Sequence, residues 1–198
     1  MSVGNDVVDL TDPETSLSGL HARFDERVFS ATERDRLEAS GSRHRLHWAY
    51  WAAKESAYKA LKRLAPEVVF SPREFEVDLS PLPVAGVAAV AAGWVHHRGR
   101  RFCLEVRQDG ESVHAMATSA DAAGARVLWN VDQPVGDPTV GVRRLAVSAI
   151  GSALGLEPAD LRIVHRPPLV THRERPLAVG VSLSHHGRFV AFACTLDQ

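Results

Sequence analysis

Hydrophobic positions along this chain switch between a period of two and a period of three to four. "VGNDVVDL" (3–10) is short and valine-rich, and it reads as a strand running into a turn at "TDPET". Helical patterns follow in "GLHARFDERVF" and "SATERDRLEAS", with Ser30 or Thr32 placed as an N-cap for the second. A longer helix is predicted from Arg43 to Leu64, stopping before Pro66. "FSPREFEVDL" sets Phe75, Val77 and Leu79 against Glu76 and Asp78, the alternation of a half-buried strand. "AGVAAVAAGWVHH", "RFCLEVRQ" and "SVHAMATS" read as further strands, with "DGES" as the hairpin turn between the last two. The alanines of the first of these suit a helix as well.

After Ala120 the pattern changes. "DAAGARVLWNVDQPVGDP" is turn-rich and reads as a connection, with room for a strand at "RVLWNV". A helix over "TVGVRRLAVSAIGSALG", a turn at "LEPADL" and a strand at "RIV" come next. A proline-broken loop, "HRPPLVTHRERP", then leads into two final strands in "LAVGVSLSHHGRFVAFACTL". The order of elements predicts an α+β protein of two lobes, 1–123 and 137–198, joined by a connector at 124–136.

Composition narrows the class. The 198 residues are 45% hydrophobic and 24% charged, with a formal net charge of -1, so no global basic field points to nucleic acid. Basic residues cluster locally, in "RHRLHW", "HHRGRR" and "HRER", which suits a phosphorylated ligand, an acidic protein or a merely solvated surface. Cys103 and Cys194 both lie in apolar runs, the pattern of reduced, buried thiols. The N-terminal segment lacks the basic-then-apolar pattern of a signal peptide, and no apolar run approaches the ~20 residues that span a bilayer. These features predict a soluble, cytoplasmic protein that binds neither nucleic acid nor membrane.

Three stretches carry candidate chemistry. In the long helix, 3.6 residues per turn aligns Trp48, Trp51, Glu55, Lys59 and Lys62 on one face. The two tryptophans imply burial, so Glu55 and Lys59 stand either at the edge of a core or cleft, or as a simple surface pair. In "GNDVVDL" a strand points Asp6 and Val8 one way and Val7 and Asp9 the other. Asp6 within an apolar strand needs a partner, of which a magnesium ion bridging to phosphate is one, whereas Asp9 is placed to cap the following turn. In "VSLSHHGRFVAFA" a hydroxyl and an imidazole precede a glycine turn, an arrangement that either binds phosphate or simply tips a hairpin. The remaining histidines lack ligand spacing for zinc, and no phosphate-binding glycine loop or kinase signature is present.

Together "GNDVVDL", "WAAKESAYKAL" and "VSLSHHGRFVAFA" resemble the signature segments of the 4′-phosphopantetheinyl transferase superfamily. The flanking "RVFSATERDRL" and "FSPREFEVDL" are similar to that family's segments as well. The resemblance implies transfer of 4′-phosphopantetheine from coenzyme A to a serine of an apo acyl or peptidyl carrier protein, releasing adenosine 3′,5′-bisphosphate. It implies Asp6 and Glu55 as Mg2+ ligands, with Glu55 or a water it orients as the base. Lys59 would act on the pyrophosphate, and Ser184, His185 and Arg175 on coenzyme A phosphates. Lys54 points off the Glu55 face and takes a lesser role. Val8 departs from the fused, surfactin-synthetase-activating type, which has a second acidic residue there, and resembles the small synthase type. Segment order implies two similar α/β lobes related by a pseudo-twofold axis, fused in the order opposite to that type and active as a monomer. A single synthase-type lobe with a long insertion is the competing architecture. A non-catalytic module that binds coenzyme A or a carrier protein is the competing function, and the carrier itself, whether of fatty acid, polyketide or nonribosomal peptide synthesis, stays open.

Overall fold

Strand β1 (Val3–Asp9) is buried at every position except the half-buried Asp6, because both of its faces are covered. The computed structural model, which describes residues 2–80, 89–120, 126–165 and 167–196, shows what covers them. The face bearing Gly4, Asp6 and Val8 lies under the long helix α3 (Arg43–Leu64). A strand can approach a helix this closely only where neither side carries bulk. The helix presents Ser56, Ala57 and Ala60, all fully buried, and the strand presents Gly4. A Cβ on Gly4 would collide with the Ser56 carbonyl oxygen and stand 2.6 Å from the Ala60 nitrogen. Pro66 lies just past the C-terminus of α3, whose last turn carries Lys62 and Arg63, the charges that a helix C-terminus favours.

Two shorter helices precede α3. The first, α1 (Phe24–Val28), is much shorter than the "GLHARFDERVF" pattern predicts: Leu17–Gly19 forms a 3-10 turn and Leu20 is extended, which breaks the helical run. The second, α2 (Ala31–Ala39), begins with a complete capping box between Ser30 and Glu33.

Beneath α3 runs a sheet of β1, β2 (Glu76–Ser80), β3 (Ala89–His97), β4 (Arg100–Gln108) and β5 (Ser112–Ser119), in the antiparallel order β1-β5-β4-β3-β2. The first four residues of the predicted "AGVAAVAAGWVHH" strand lie outside the described residues. A second antiparallel sheet follows, built from β6 (Val127–Asp132), β7 (Leu161–Val164), β8 (Leu169–His172), β9 (Arg175–His186) and β10 (Phe189–Leu196), in the order β6-β10-β9-β8-β7. Helix α4 (Pro138–Leu154) packs on it, opened by Asp137 as N-cap with Pro138 in its first turn and closed by Gly155 in the left-handed region. Each sheet thus has its first strand at one edge beside its last, with its long helix between first and second strands. The chain is two lobes of one topology, which sets aside the single lobe with an insertion.

Two segments read as connections contribute to the second sheet. Residues 127–132 of the 124–136 stretch form β6, the strand for which "RVLWNV" left room, and it pairs along β10, while residues 121–125 lie outside the described set. The proline-broken "HRPPLVTHRERP" contains β8, four residues too short to show a period but held on both sides by β7 and β9.

The other face of β1 meets the second lobe. Val3 clusters with Met116, Ala193 and Trp129, and Val7 with Phe189, Ala191 and Val131. Between these two apolar plugs, the Asn5 backbone N–H donates to Ser182 Oγ (2.9 Å) and its side-chain Nδ2 donates to Ser184 Oγ (2.9 Å). A single strand therefore belongs to both lobes. Gly4→Ala is expected to lower stability by about 3 kcal/mol or more, because the added methyl meets backbone rather than a mobile side chain. Gly41→Ala, with nothing near its Cβ, is the control and should stay within ~0.5 kcal/mol of wild type in urea unfolding.

Candidate active site

Two residues beyond Gly4, Asp6 emerges from under α3 beside the helix face that carries Glu55 and Lys59. The Lys59 ammonium donates to Asp6 Oδ1 (2.8 Å) and to the Asn5 carbonyl (3.0 Å). Both side chains are largely enclosed, at 29% and 13% exposure for Lys59 and Asp6. Glu55 lines the same depression as Asp6, along with Phe24, Trp48, Trp51, His185 and His186. Burial first, and then the neighbouring Asp6 charge, push the Glu55 carboxyl up to about 7, with Lys59 opposing. The face that the sequence aligned is thus a half-buried stripe at the boundary of the core, with Trp48 sealed beneath it by an indole N–H donated to the Thr15 carbonyl (2.8 Å).

Lys59 also borders a larger cleft of about 570 Å3 between the lobes. Tyr58, Lys62 and Arg63 of α3 form one wall. Val142 and Arg143 of α4 and Val181, Leu183 and His185 of β9 form the other, with Pro167 and Pro168 at its edge. The walls are mostly apolar, with cations at intervals, which suits a long ligand having an apolar body and anionic groups. Arg63 donates to the carbonyls of Pro168 and Val181 and so ties the lobes together across this cleft. His185 lines both the cleft and the Asp6–Glu55 depression, marking where the two spaces meet.

The residues linked with coenzyme A by resemblance are not all brought together. His185 faces the cleft. Ser184, one position along the strand, turns the other way, is 5% exposed, and accepts from Asn5 in the lobe interface. Arg175 stands exposed at the opposite end of β9, ten residues from His185, or ~33 Å along an extended strand. It takes no part in the cleft, and the positive charge there comes from Lys59, Lys62, Arg63 and Arg143 instead.

Lys54 follows a different course from its neighbour. Its ammonium is fully buried, bridging both oxygens of Glu33 (2.8 and 2.9 Å) and the Phe75 carbonyl, and the same Glu33 carboxylate accepts from the Ser30 and Val77 backbone N–H groups. Lys54 therefore fastens α3 to α2 and β2. Asp9 does bond the turn as expected, accepting from the Thr11 N–H and hydroxyl, but it also takes Arg188 from the second lobe. The Arg188 guanidinium holds its carboxyl well below the usual carboxylate range. Asn5, His114 and Arg188 escaped the sequence reading. Their signal was a polar residue in mid-strand, or after a turn, without a visible partner.

Asp6 and Glu55 provide hard oxygen donors on one side of a depression that opens to the cleft. Among the described residues no cluster of three or more His, Cys, Asp or Glu side chains is placed to hold a metal. Two carboxylates fit magnesium, which commonly takes one or two protein carboxylates and fills its octahedron with water and substrate phosphate. They do not form an all-protein cage.

The family model of the 4′-phosphopantetheinyl transferase superfamily matches residues 2–118, spanning β1 to β5 and the Asp6–Glu55–Lys59 group, and the chain belongs to that superfamily. Among solved structures, the holo-[acyl-carrier-protein] synthase of Thermotoga maritima matches at 14% identity and a TM-score of 0.34, over 70% of this chain and 71% of that one. No curated protein sequence matches. Among the described residues no helix is long and apolar enough to cross a membrane.

The raised Glu55 carboxyl has a consequence for stability. Its folded form holds a proton up to a pH of about 7, while the unfolded chain releases it near 4.5. Folding stability in metal-free buffer therefore falls as pH rises between those values, by at most about 3 kcal/mol. Glu55→Gln lacks this loss. Its melting temperature should match wild type near pH 4, exceed it progressively to pH 7 and keep a constant advantage above, as measured by thermal unfolding across that range.

Proposed function

We propose that this protein transfers 4′-phosphopantetheine from coenzyme A to a serine hydroxyl of an apo carrier protein, in a magnesium-dependent reaction that releases adenosine 3′,5′-bisphosphate. The observation that carries this reading is the convergence of Asp6, Glu55 and Lys59 where an anion-suited cleft meets a smaller depression, in a chain of this superfamily.

Attack of a neutral hydroxyl on an anionic pyrophosphate requires charge neutralisation, a proton acceptor and support for the leaving phosphate. Asp6 and Glu55 would hold the magnesium ion, whose bound charge neutralises the pyrophosphate. Glu55, or a water that it orients, takes the serine proton. Lys59 already points its ammonium at the Asp6 carboxylate and is poised to place that charge on the leaving side. Along the cleft, His185 and Lys62 meet phosphate groups, while Tyr58, Val142, Val181 and Leu183 enclose the less polar parts of the ligand. The carrier brings its serine to the depression from the side of Phe24 and Trp51.

Incubation of the chain with coenzyme A, magnesium and a panel of apo carrier proteins should add phosphopantetheine to at least one carrier, read by intact mass. Asp6→Asn and Glu55→Gln should each cut the rate at least ~100-fold while the chain stays folded. Magnesium should raise the melting temperature of wild type but not of Asp6→Asn, a readout independent of turnover. A chain that binds coenzyme A tightly and modifies no carrier would instead favour the non-catalytic module.

One chain holds Asp6, Glu55 and His185, so the proposed unit is a monomer acting in the cytoplasm on acyl or peptidyl carriers. Mixing Asp6→Asn with His185→Ala chains should restore no activity, because neither chain contains an intact site. Recovery would place the site between subunits.

A further inference from the structure

The tip of the β9–β10 hairpin is pressed against the end of β1. Gly187 turns there at φ +53, and a Cβ on it would stand 2.7 Å from Asp9 Oδ2 and 2.8 Å from Asp12 Oδ2. The next residue, Arg188, reaches back over the strand. Its backbone N–H and Nε donate to Asp9 Oδ2 (3.1 and 2.8 Å), and Nη2 donates to Asp9 Oδ1 (3.0 Å) and the Thr11 hydroxyl (2.6 Å). Nη1 meets Glu111 at 3.3 Å. The Asp9 backbone N–H also donates to His186 Nδ1 (3.3 Å). The Asp9 side chain is only 2% exposed, and with its two Thr11 bonds both of its oxygens are fully occupied.

This is more than a lobe contact, because of what lies on either side of it. Three residues before Arg188 stands His185, which lines both the cleft and the Asp6–Glu55 depression. Three residues before Asp9 stands Asp6. One strand thus carries a candidate metal ligand on one face and an anchor for the phosphate-gripping hairpin on the other. We propose that Asp9 and Arg188 are positioning residues that set His185 relative to Asp6 and Glu55 and so fix the affinity for the phosphate groups of coenzyme A. The proposal rests on the transferase reading above and adds residues that touch neither ligand nor metal.

A latch of this kind has a signature that a general structural role lacks. Without Arg188 the hairpin tip gains freedom, so His185 loses its hold on the bound ligand. Asp6, Glu55 and Lys59, fixed by β1 and α3, stay in place. Affinity should fall while the chemical step persists once ligand is bound. A merely destabilised protein would lose active fraction with an unchanged KM.

The test is coenzyme A titration of the full chain by calorimetry with magnesium present, together with steady-state transfer kinetics. Arg188→Ala and the isosteric Asp9→Asn are expected to raise the coenzyme A Kd and KM roughly tenfold or more, with kcat within about threefold of wild type. Arg188→Lys, which keeps one charged contact, should fall between. In a double-mutant cycle, adding Arg188→Ala to His185→Ala should weaken binding no further, since the latch acts through that imidazole. Near-ultraviolet circular dichroism checks that each chain is folded, and if Arg188→Ala is not, Arg188→Lys and Asp9→Asn carry the comparison. Wild-type affinity in a folded latch variant, or full additivity with His185→Ala, would overturn the latch while leaving the transferase intact. A wild-type chain that binds no coenzyme A would overturn the transferase reading and the latch with it.

Discussion

The contact between Gly4 and the Ser56–Ala60 turn of α3 sets the spacing of everything around it. Closest approach of strand and helix occurs where Gly4 carries no side chain and the helix presents Ser56, Ala57, Ala60 and the Cβ of Lys59. The adjoining positions, Asp6 on the strand and Glu55 and Lys59 on the helix, are forced together by that approach rather than by their own attraction. Left to themselves, two carboxylates in a half-buried pocket repel. Burial raises the Glu55 carboxyl most, and the Asp6 charge adds to it. Lys54, one residue earlier, works from the other side of the helix: its buried bond to Glu33 holds α3 against α2 and β2.

The second consequence follows from the pleat of β1. Alternate residues face opposite lobes, so Gly4, Asp6 and Val8 serve the helix while Val3, Asn5, Val7 and Asp9 serve the second sheet. Two apolar plugs, the Asn5 clamp on Ser182 and Ser184, and the Asp9–Arg188 pair lie in sequence along that outer face. His114, buried next to Asn5 and pushed down to about 3 chiefly by desolvation, stays neutral there and adds no charge to the interface. The cleft is therefore framed by a strand that packs into both lobes.

Much of this was legible in local patterns. The bounds of β1 and α3, a cap narrowed to Ser30 or Thr32, the β4–β5 hairpin and the shared face of Trp51, Glu55 and Lys59 all follow from periodicity and end signals acting over a few residues. What sequence could not supply is the register between segments more than a hundred residues apart. Ser184 alternates with His185 as expected, yet which of the two faces the cleft depends on Asn5, 179 positions away. Arg175 is close to His185 along the chain and distant in space because the intervening residues form one extended strand. Strand β8 hides in a proline-rich run because its pairing partners, not its own residues, hold it extended.

The repeated topology has a further meaning when the lobes are superposed in thought. Strand β6 stands in the second sheet where β1 stands in the first, and β4 occupies the place of β9. The groove between β6 and β4 is thus the counterpart of the one that holds Asp6 and His185. It is lined by Trp129, Arg107 and Glu105, with the Arg107 guanidinium lying 4.4 Å over the Trp129 ring and the His114 ring 5.6 Å from it. An indole under a guanidinium lines it where the other groove has Asp6, Glu55 and two imidazoles. Two identical lobes could not differ in this way, since symmetry would give both grooves the same lining. Joining unlike halves in one chain is what allows one groove to pair Asp6 with Glu55 while its twin carries a stacked indole and guanidinium.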